Sequence, residues 1–318
     1  MNNSIENILS QYIDKAFQVA EKKSIIEGVE IYFTLRGLLK TLQINGKSAS
    51  SALDEQRQEY QNEAKKFYRN ILNTTNNNKH EETIFIVGDS LQLPRPIETK
   101  ENNNGIQHTT SYKLLQKIHA NNLALTVKPW AQRYFTTDSL LRVWDRIIPK
   151  DLSNTHLIIH LGLNDYVERI FLEEERLALS LCSPSLTQKI VKFGQQYRRI
   201  IIQKQFNHSY VPFEKFKKNI QQIILQSKQN SVKSLSFVNI IASHVESWEK
   251  TPRSMWLTSK YNMFLYDMEQ QHNINLIDLD RRLWEAGIHE YLLEDKMHLS
   301  HQGHQLLADT ILKTIKGK

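Results

Sequence analysis

The chain has 318 residues, 40% hydrophobic and 24% charged, with ten glycines and seven prolines. That composition excludes a disordered or fibrous protein and provides for one large or two small domains. A single cysteine, Cys182, excludes an internal disulfide framework and a four-thiolate metal site. No run approaches the ~20 apolar residues of a membrane-spanning helix. The start, MNNSIENILSQYIDKAF, mixes acids with apolar residues and has no apolar core of a signal peptide, so a cytoplasmic location is expected. The net charge is +7, concentrated between Ser185 and Lys260, where thirteen Lys and Arg face Glu214, Glu246 and Glu249. A basic segment of this kind is either a solvated helix face or a surface for an anionic partner. No nucleic-acid-binding motif accompanies it, so no nucleic-acid partner is expected.

Residues 1–72 read as helical. Ile8, Leu9, Tyr12, Ile13, Phe17 and Ala20 line one helix face at three- and four-residue spacing. A denser apolar run covers Glu27 to Leu42, and a third helix is expected from about Leu53 to Leu72, capped by Ser50 or Ser51. The Asn-rich stretch 73–82 predicts a linker. From residue 83 to 318 short apolar runs alternate with amphipathic ones. The runs TIFIVGDS (83–90), NLALTVKP (122–129), THLIIHLG (155–162), SLSFVNIIASH (234–244) and INLIDLD (274–280) suit strands buried on both faces. SYKLLQKIHA, SLLRVWDRII, the region from Leu186 to Gln229, and GHQLLADTILKTI have helical pattern. Strands alternating with helices predict a parallel, doubly wound α/β sheet, whose chemistry sits at the carboxyl ends of its strands.

Three of those strand ends or loops carry reactive types. Ser90 follows the first strand, either as a helix N-cap or with its hydroxyl facing the cleft, where local amides would stabilise an oxyanion. Asn164 and Asp165 follow the third strand, either as turn residues or with the Asn amide as a neutral oxyanion donor. Asp295 and His298 precede the last helix, at a spacing that lets a carboxylate orient the imidazole while its other nitrogen takes a proton from serine. His298, His301 and His304 drift around a helix and have no carboxylate ligands beside them, so no metal is expected.

In this order the blocks Gly88-Asp89-Ser90-Leu91, Gly162-Leu163-Asn164-Asp165 and Asp295-Lys296-Met297-His298 resemble the GDSL, or SGNH, hydrolase family over roughly residues 83–315. The resemblance implies a flavodoxin-like three-layer α/β/α fold and serine acyl chemistry without metal or cofactor. It implies Ser90 as nucleophile, His298 as general base then acid, and Asp295 as its orienter. The Ser90 amide and the Asn164 side chain would be the oxyanion donors. One block departs: the family places a glycine after the second strand, but no glycine lies between Gly105 and Gly162. The amide of Tyr134 or a neighbour would serve instead.

GDSLQLPRP and HLGLNDYVERIFLEEERL also look like a subgroup found among bacterial surface-polysaccharide biosynthesis proteins. That likeness implies an acylated carbohydrate or nucleotide-sugar substrate. Arg95 and Arg169 lie five residues beyond Ser90 and Asn164; either they form surface salt bridges to neighbours such as Glu168 or Glu173, or, with Asp165, they are substrate contacts, which would point to an anionic substrate. Trp130, Tyr134, Phe135, Trp248 and Trp256 are expected in loops, either as core or stacked on a sugar ring. Three readings follow: an esterase that removes small acyl groups, acetyl foremost, from a carbohydrate; an O-acetyltransferase with the same residues; or a non-catalytic glycan-binding or assembly protein. Such a protein would be cytoplasmic, or attached to a membrane through a polysaccharide assembly complex. A histidine base predicts activity that rises from about pH 6 to 8.

Overall fold

The computed structural model describes residues 2–40, 43–44, 47–73, 82–94, 105–205, 208–242 and 245–317. Most of the expected linker, and Arg95, lie outside the described residues. Packing divides the chain into two compact units that are not contiguous in sequence. One comprises residues 60–167, 211–248 and 253–318; the other comprises 1–59, 168–210 and 249–252.

The first unit is built on a sheet of β1 (Glu82–Gly88), β2 (Leu125–Ala131), β3 (Thr155–His160), β4 (Ser234–Val238) and β5 (Asn275–Ile277). All neighbours are parallel, in the order β2-β1-β3-β4-β5. This is the flavodoxin-like order, and the crevice forms where the order reverses, at the carboxyl ends of β1 and β3. Every residue of β3 is buried, as is Phe85 and its neighbours in β1, which explains the unbroken apolar runs. Helices Thr110–Ala120 and His301–Lys316 pack on each other, as do Thr137–Ile147 and Phe213–Gln229. They supply the outer layers of the α/β/α arrangement.

Strand boundaries differ from expectation for identifiable reasons. The second strand runs 125–131, through Pro129, because β2 lies at the sheet edge, where a missing N–H costs no ladder bond. The apolar run 234–244 stops being strand after Val238. There side chains take over from the ladder: Asn239 donates to Asp278 (2.6 Å) and accepts from the Asp280 amide (3.0 Å), and Asp280 accepts from the Ala242 amide (2.8 Å).

The second unit is helical. Helices Asn2–Lys22 and Ile25–Leu39 share one core with Glu173–Ser180, Pro184–Gln196 and Arg198–Lys204, centred on Ile13, Tyr32, Leu35, Ile190 and Phe193. The first two of the helices expected from residues 1–72 therefore bury their apolar faces against a segment that follows β3, and the long basic region divides between the two units. Arg36 and Glu175 form a buried ion pair at 2.5 Å within this unit. The Leu172 amide also donates to Glu175 (2.8 Å), and the Arg36 guanidinium lies 5.6 Å from the Phe171 ring. The third helix begins at Ala49, so Ser50 and Ser51 fall inside it and neither is its cap.

Candidate active site

Every residue of the site described here belongs to the sheet unit. Beyond β1 the chain enters a single 3-10 turn, Ser90–Gln92, capped by Asp89, whose Oδ1 accepts from the Leu91 amide at 2.8 Å. Capping is therefore done by Asp89, and the Ser90 hydroxyl is directed elsewhere. Its Oγ lies 3.1 Å from His298 Nε2. A turn of three residues has no sizeable dipole, so charge stabilisation at this point comes from individual N–H donors.

The histidine loop is held by local bonds that follow from its sequence. Asp295 Oδ1 accepts from the amides of Met297 (3.1 Å) and His298 (2.9 Å), folding the loop back on its own carboxylate. The Leu293 amide donates to the His298 carbonyl at 2.8 Å. Asp295 Oδ2 then meets His298 Nδ1 at 2.7 Å, which puts the proton on Nδ1 and leaves Nε2 as an acceptor for the serine hydroxyl. Burial pushes the Asp295 carboxyl up, but the side-chain and backbone donors of His298 outweigh it and hold it well below the usual carboxylate range. The carboxylate beside the imidazole is therefore held in its ionised form.

The turn after β3 opens at Gly162, with φ +126°, and passes through the one-turn helix Leu163–Tyr166. Asn164 is buried there and its Nδ2 donates to Asp89 Oδ2 at 2.9 Å. An amide nitrogen carries two hydrogens, so this bond fixes the group while a second N–H can serve an oxyanion. Asp89 thus joins the serine turn to the Asn turn. The sequence reading passed over it, although it stands inside the GDSL block.

Tyr134 occupies the loop between β2 and helix Thr137–Ile147 and has φ +55°. That left-handed backbone is the conformation glycine adopts freely, and here a tyrosine holds it. Its ring lies 5.8 Å from that of Tyr60.

The remaining expected residues are placed elsewhere. Asp165 is fully buried and does not face a cleft: its carboxylate accepts from Thr137 N (3.1 Å) and Thr137 Oγ1 (2.5 Å). Burial pushes Asp165 up to about 7 against the pull of those donors. The expectation of a substrate contact there is corrected: the side chain is spent on Thr137. Arg169 belongs to the helical unit, where its guanidinium lies 5.1 Å from the Tyr210 ring. Phe135 is core, Trp130 lies within β2, and Trp256 is an exposed residue of helix Ser254–Gln271. His301 Nδ1 pairs with His108 Nδ1 at 2.8 Å. His304 is buried against Thr110 Oγ1 at 2.9 Å, and burial drives it down to about 3. Beneath the serine turn lies another residue the sequence did not single out: Gln92, buried, with Nε2 2.6 Å from His160 Nδ1.

No protein-family model and no curated protein match the sequence. Solved structures do. An acetyl-xylooligosaccharide esterase variant from Geobacillus stearothermophilus matches with a TM-score of 0.51 at 14% identity, covering 75% of this chain and 96% of that one. An acetyl xylan esterase structure from the same organism matches with a TM-score of 0.50 at 14% identity, over 74% of this chain and 94% of that one. An α/β hydrolase enzyme from the metagenome of Lake Arreo matches with a TM-score of 0.50 at 15% identity, over 73% and 93%. At such identities the likeness is one of fold, and it agrees with the strand order and with the sequence blocks at the strand ends: the chain has the α/β fold of the GDSL/SGNH hydrolases.

Proposed function

We propose that the protein is a serine esterase that removes small acyl groups, acetyl foremost, from a carbohydrate. The observation that carries the proposal is the continuous chain from Ser90 Oγ through His298 to Asp295, with contacts of 3.1 and 2.7 Å. In this reading Ser90 Oγ attacks the ester carbonyl as its proton passes to His298 Nε2. The tetrahedral oxyanion accepts hydrogen bonds from the Ser90 amide, Asn164 Nδ2 and the Tyr134 amide. Collapse expels the sugar hydroxyl, which takes the proton back from His298. Water then repeats the sequence on the acyl-enzyme and releases the acid.

The choice of a sugar ester is supported by two of the structurally similar proteins being described as acetylxylan or acetyl-xylooligosaccharide esterases. The GDSLQLPRP block supports a setting in bacterial surface-polysaccharide synthesis, in the cytoplasm, with Arg95 taking an anionic sugar or nucleotide-sugar substrate. Among the described residues, no helix is long and apolar enough to cross a membrane.

The test is acetate release from acetylated xylo-oligosaccharides and from an acetylated uronic-acid glycan, by wild type and Ser90→Ala. Release that depends on Ser90 supports the proposal, and an Arg95→Ala loss confined to the acidic glycan supports the anionic substrate. Equal slow release by both proteins would overturn the esterase reading. Transfer of labelled acetyl to an added sugar in place of release would move the assignment to an acyltransferase.

A further inference from the structure

We propose that Asp165 is the positioning residue of the oxyanion hole, keeping the Tyr134 loop and the Asn164 turn at a fixed separation. The proposal rests on the esterase reading above and deepens it. Three loops meet at the crevice, and hydrogen bonds tie the loop after β3 to the other two and the loop after β2 to the end of β1. The loop after β1 is tied to the one after β3 by Asp89 Oδ2 and Asn164 Nδ2 at 2.9 Å. The loop after β2 starts with the Gln132 amide donating to the Gly88 carbonyl of β1 at 3.2 Å. It ends at Thr137, whose amide and hydroxyl donate to Asp165. Asp165 is adjacent to Asn164 in sequence, so its carboxylate transmits the position of one oxyanion donor to the loop that carries the other.

The backbone supports this reading. Tyr134 lies between the two anchors, in a left-handed conformation that is unfavourable for a non-glycine residue and persists only where its surroundings over-determine it. Phe135 and Thr137 beside it are buried, and the Phe135 amide donates to the Gln132 carbonyl at 3.3 Å. Asp165 is itself immobilised: its amide donates to the Gly162 carbonyl (3.0 Å) and its carbonyl accepts from the Val211 amide (3.1 Å). The Asn219 side-chain amide meets the far side of Thr137 Oγ1 at 3.0 Å. A buried carboxyl group costs stability relative to an apolar side chain of the same size unless its bonds are made, so its use as a tether between two loops gives it a function. The clamp lies behind the chemistry and touches no reacting atom.

The experiment combines hydrogen exchange of residues 132–139 with steady-state kinetics on a small acetyl ester, for wild type, Asp165→Ala, Asp165→Asn and Thr137→Val. Fluorophosphonate labelling of the wild type is run alongside. In Asp165→Ala the 132–139 segment should exchange faster while β1 and β3 keep their protection. Its kcat should fall by about 10²-fold, the loss expected from displacing a donor by about 1 Å, with KM within about threefold. Asp165→Asn keeps an acceptor oxygen for Thr137 and should regain most of the rate, with Thr137→Val between the two. Unchanged exchange, faster exchange with unchanged kcat, or a loss carried by KM alone would overturn the proposal. If Asp165→Ala does not fold, Asp165→Asn and Thr137→Val decide by the same readings. A wild type that takes no label removes the esterase reading and this one together; a labelled wild type with undiminished variants removes only this one.

Discussion

Replacing Gly162 by alanine should destabilise the sheet unit through two separable effects. The backbone there has φ +126°, which a side chain makes costly by about 1–3 kcal/mol. A Cβ at this position would also stand 2.6 Å from both Cγ1 and Cδ1 of Ile240, an overlap worth about 1–3 kcal/mol in a packed interior. The sum is about 4 kcal/mol, which for a unit of this size lowers Tm by about 8–16 °C. Gly287 supplies the comparison. Its φ is +90°, but nothing lies within 4 Å of the Cβ it lacks, so Gly287→Ala should show the backbone cost alone. Thermal melts followed by tryptophan fluorescence, with urea titrations, measure both variants. Equal destabilisation of the two, or a smaller effect at Gly162, would refute the packing argument. Because Gly162 leads directly into Asn164, the surviving Gly162→Ala protein should also lose kcat on acetyl esters.

Other perturbations give equally definite expectations. On the proposed mechanism Asn164→Ala removes an oxyanion donor and should cost about 10²–10³ in kcat with little change in KM, measured on a p-nitrophenyl acetate series. Asp89→Ala should reproduce part of that loss without touching substrate, since it releases both Asn164 Nδ2 and the Leu91 amide; a normal kcat would show that the bond positions nothing. His304, driven down to about 3 by burial, prefers the neutral form when folded. Its stabilising contribution is therefore full above the unfolded value of about 6.5 and is lost as pH falls from there towards 3, so urea midpoints at pH 7 and 5 should differ less in His304→Gln than in wild type. In the helical unit, Arg36→Met removes the nearest cation from buried Glu175, leaving Lys40 at 3.7 Å and the Leu172 amide at 2.8 Å, and should cost about 3 kcal/mol, whereas Arg36→Met with Glu175→Leu should cost less than the single change. A double-mutant cycle in urea reads that difference.

What could be read from the sequence is what depends on neighbours in sequence. The central strands are continuous apolar runs because both faces are covered, and so β3 was placed to within two residues. The Asp295–His298 pair was legible because an aspartate three residues ahead of a histidine can accept its amide and meet its ring at once, as the contacts of 2.9 and 2.7 Å show. What escaped depends on distant partners. The shared core of Ile13, Tyr32, Ile190 and Phe193 joins segments over 150 residues apart, and no local pattern in either announces the other. Asp165 reads as a cleft residue beside Asn164; only the fold brings Thr137 under its carboxylate. Tyr134 hides its left-handed backbone because the residue type that signals such a conformation, glycine, is the one that is missing. The second strand continues past Pro129, beyond the expected run 122–129, because it lies at an edge position that strand order alone reveals.

The central claim is that Ser90 is an activated nucleophile, and intact-mass measurement after treatment with a fluorophosphonate tests it most directly. Wild type should gain one adduct, Ser90→Ala none, and His298→Ala should react slower by about two orders of magnitude or more. A folded wild type that takes no adduct, or an adduct that persists in Ser90→Ala, would contradict the account.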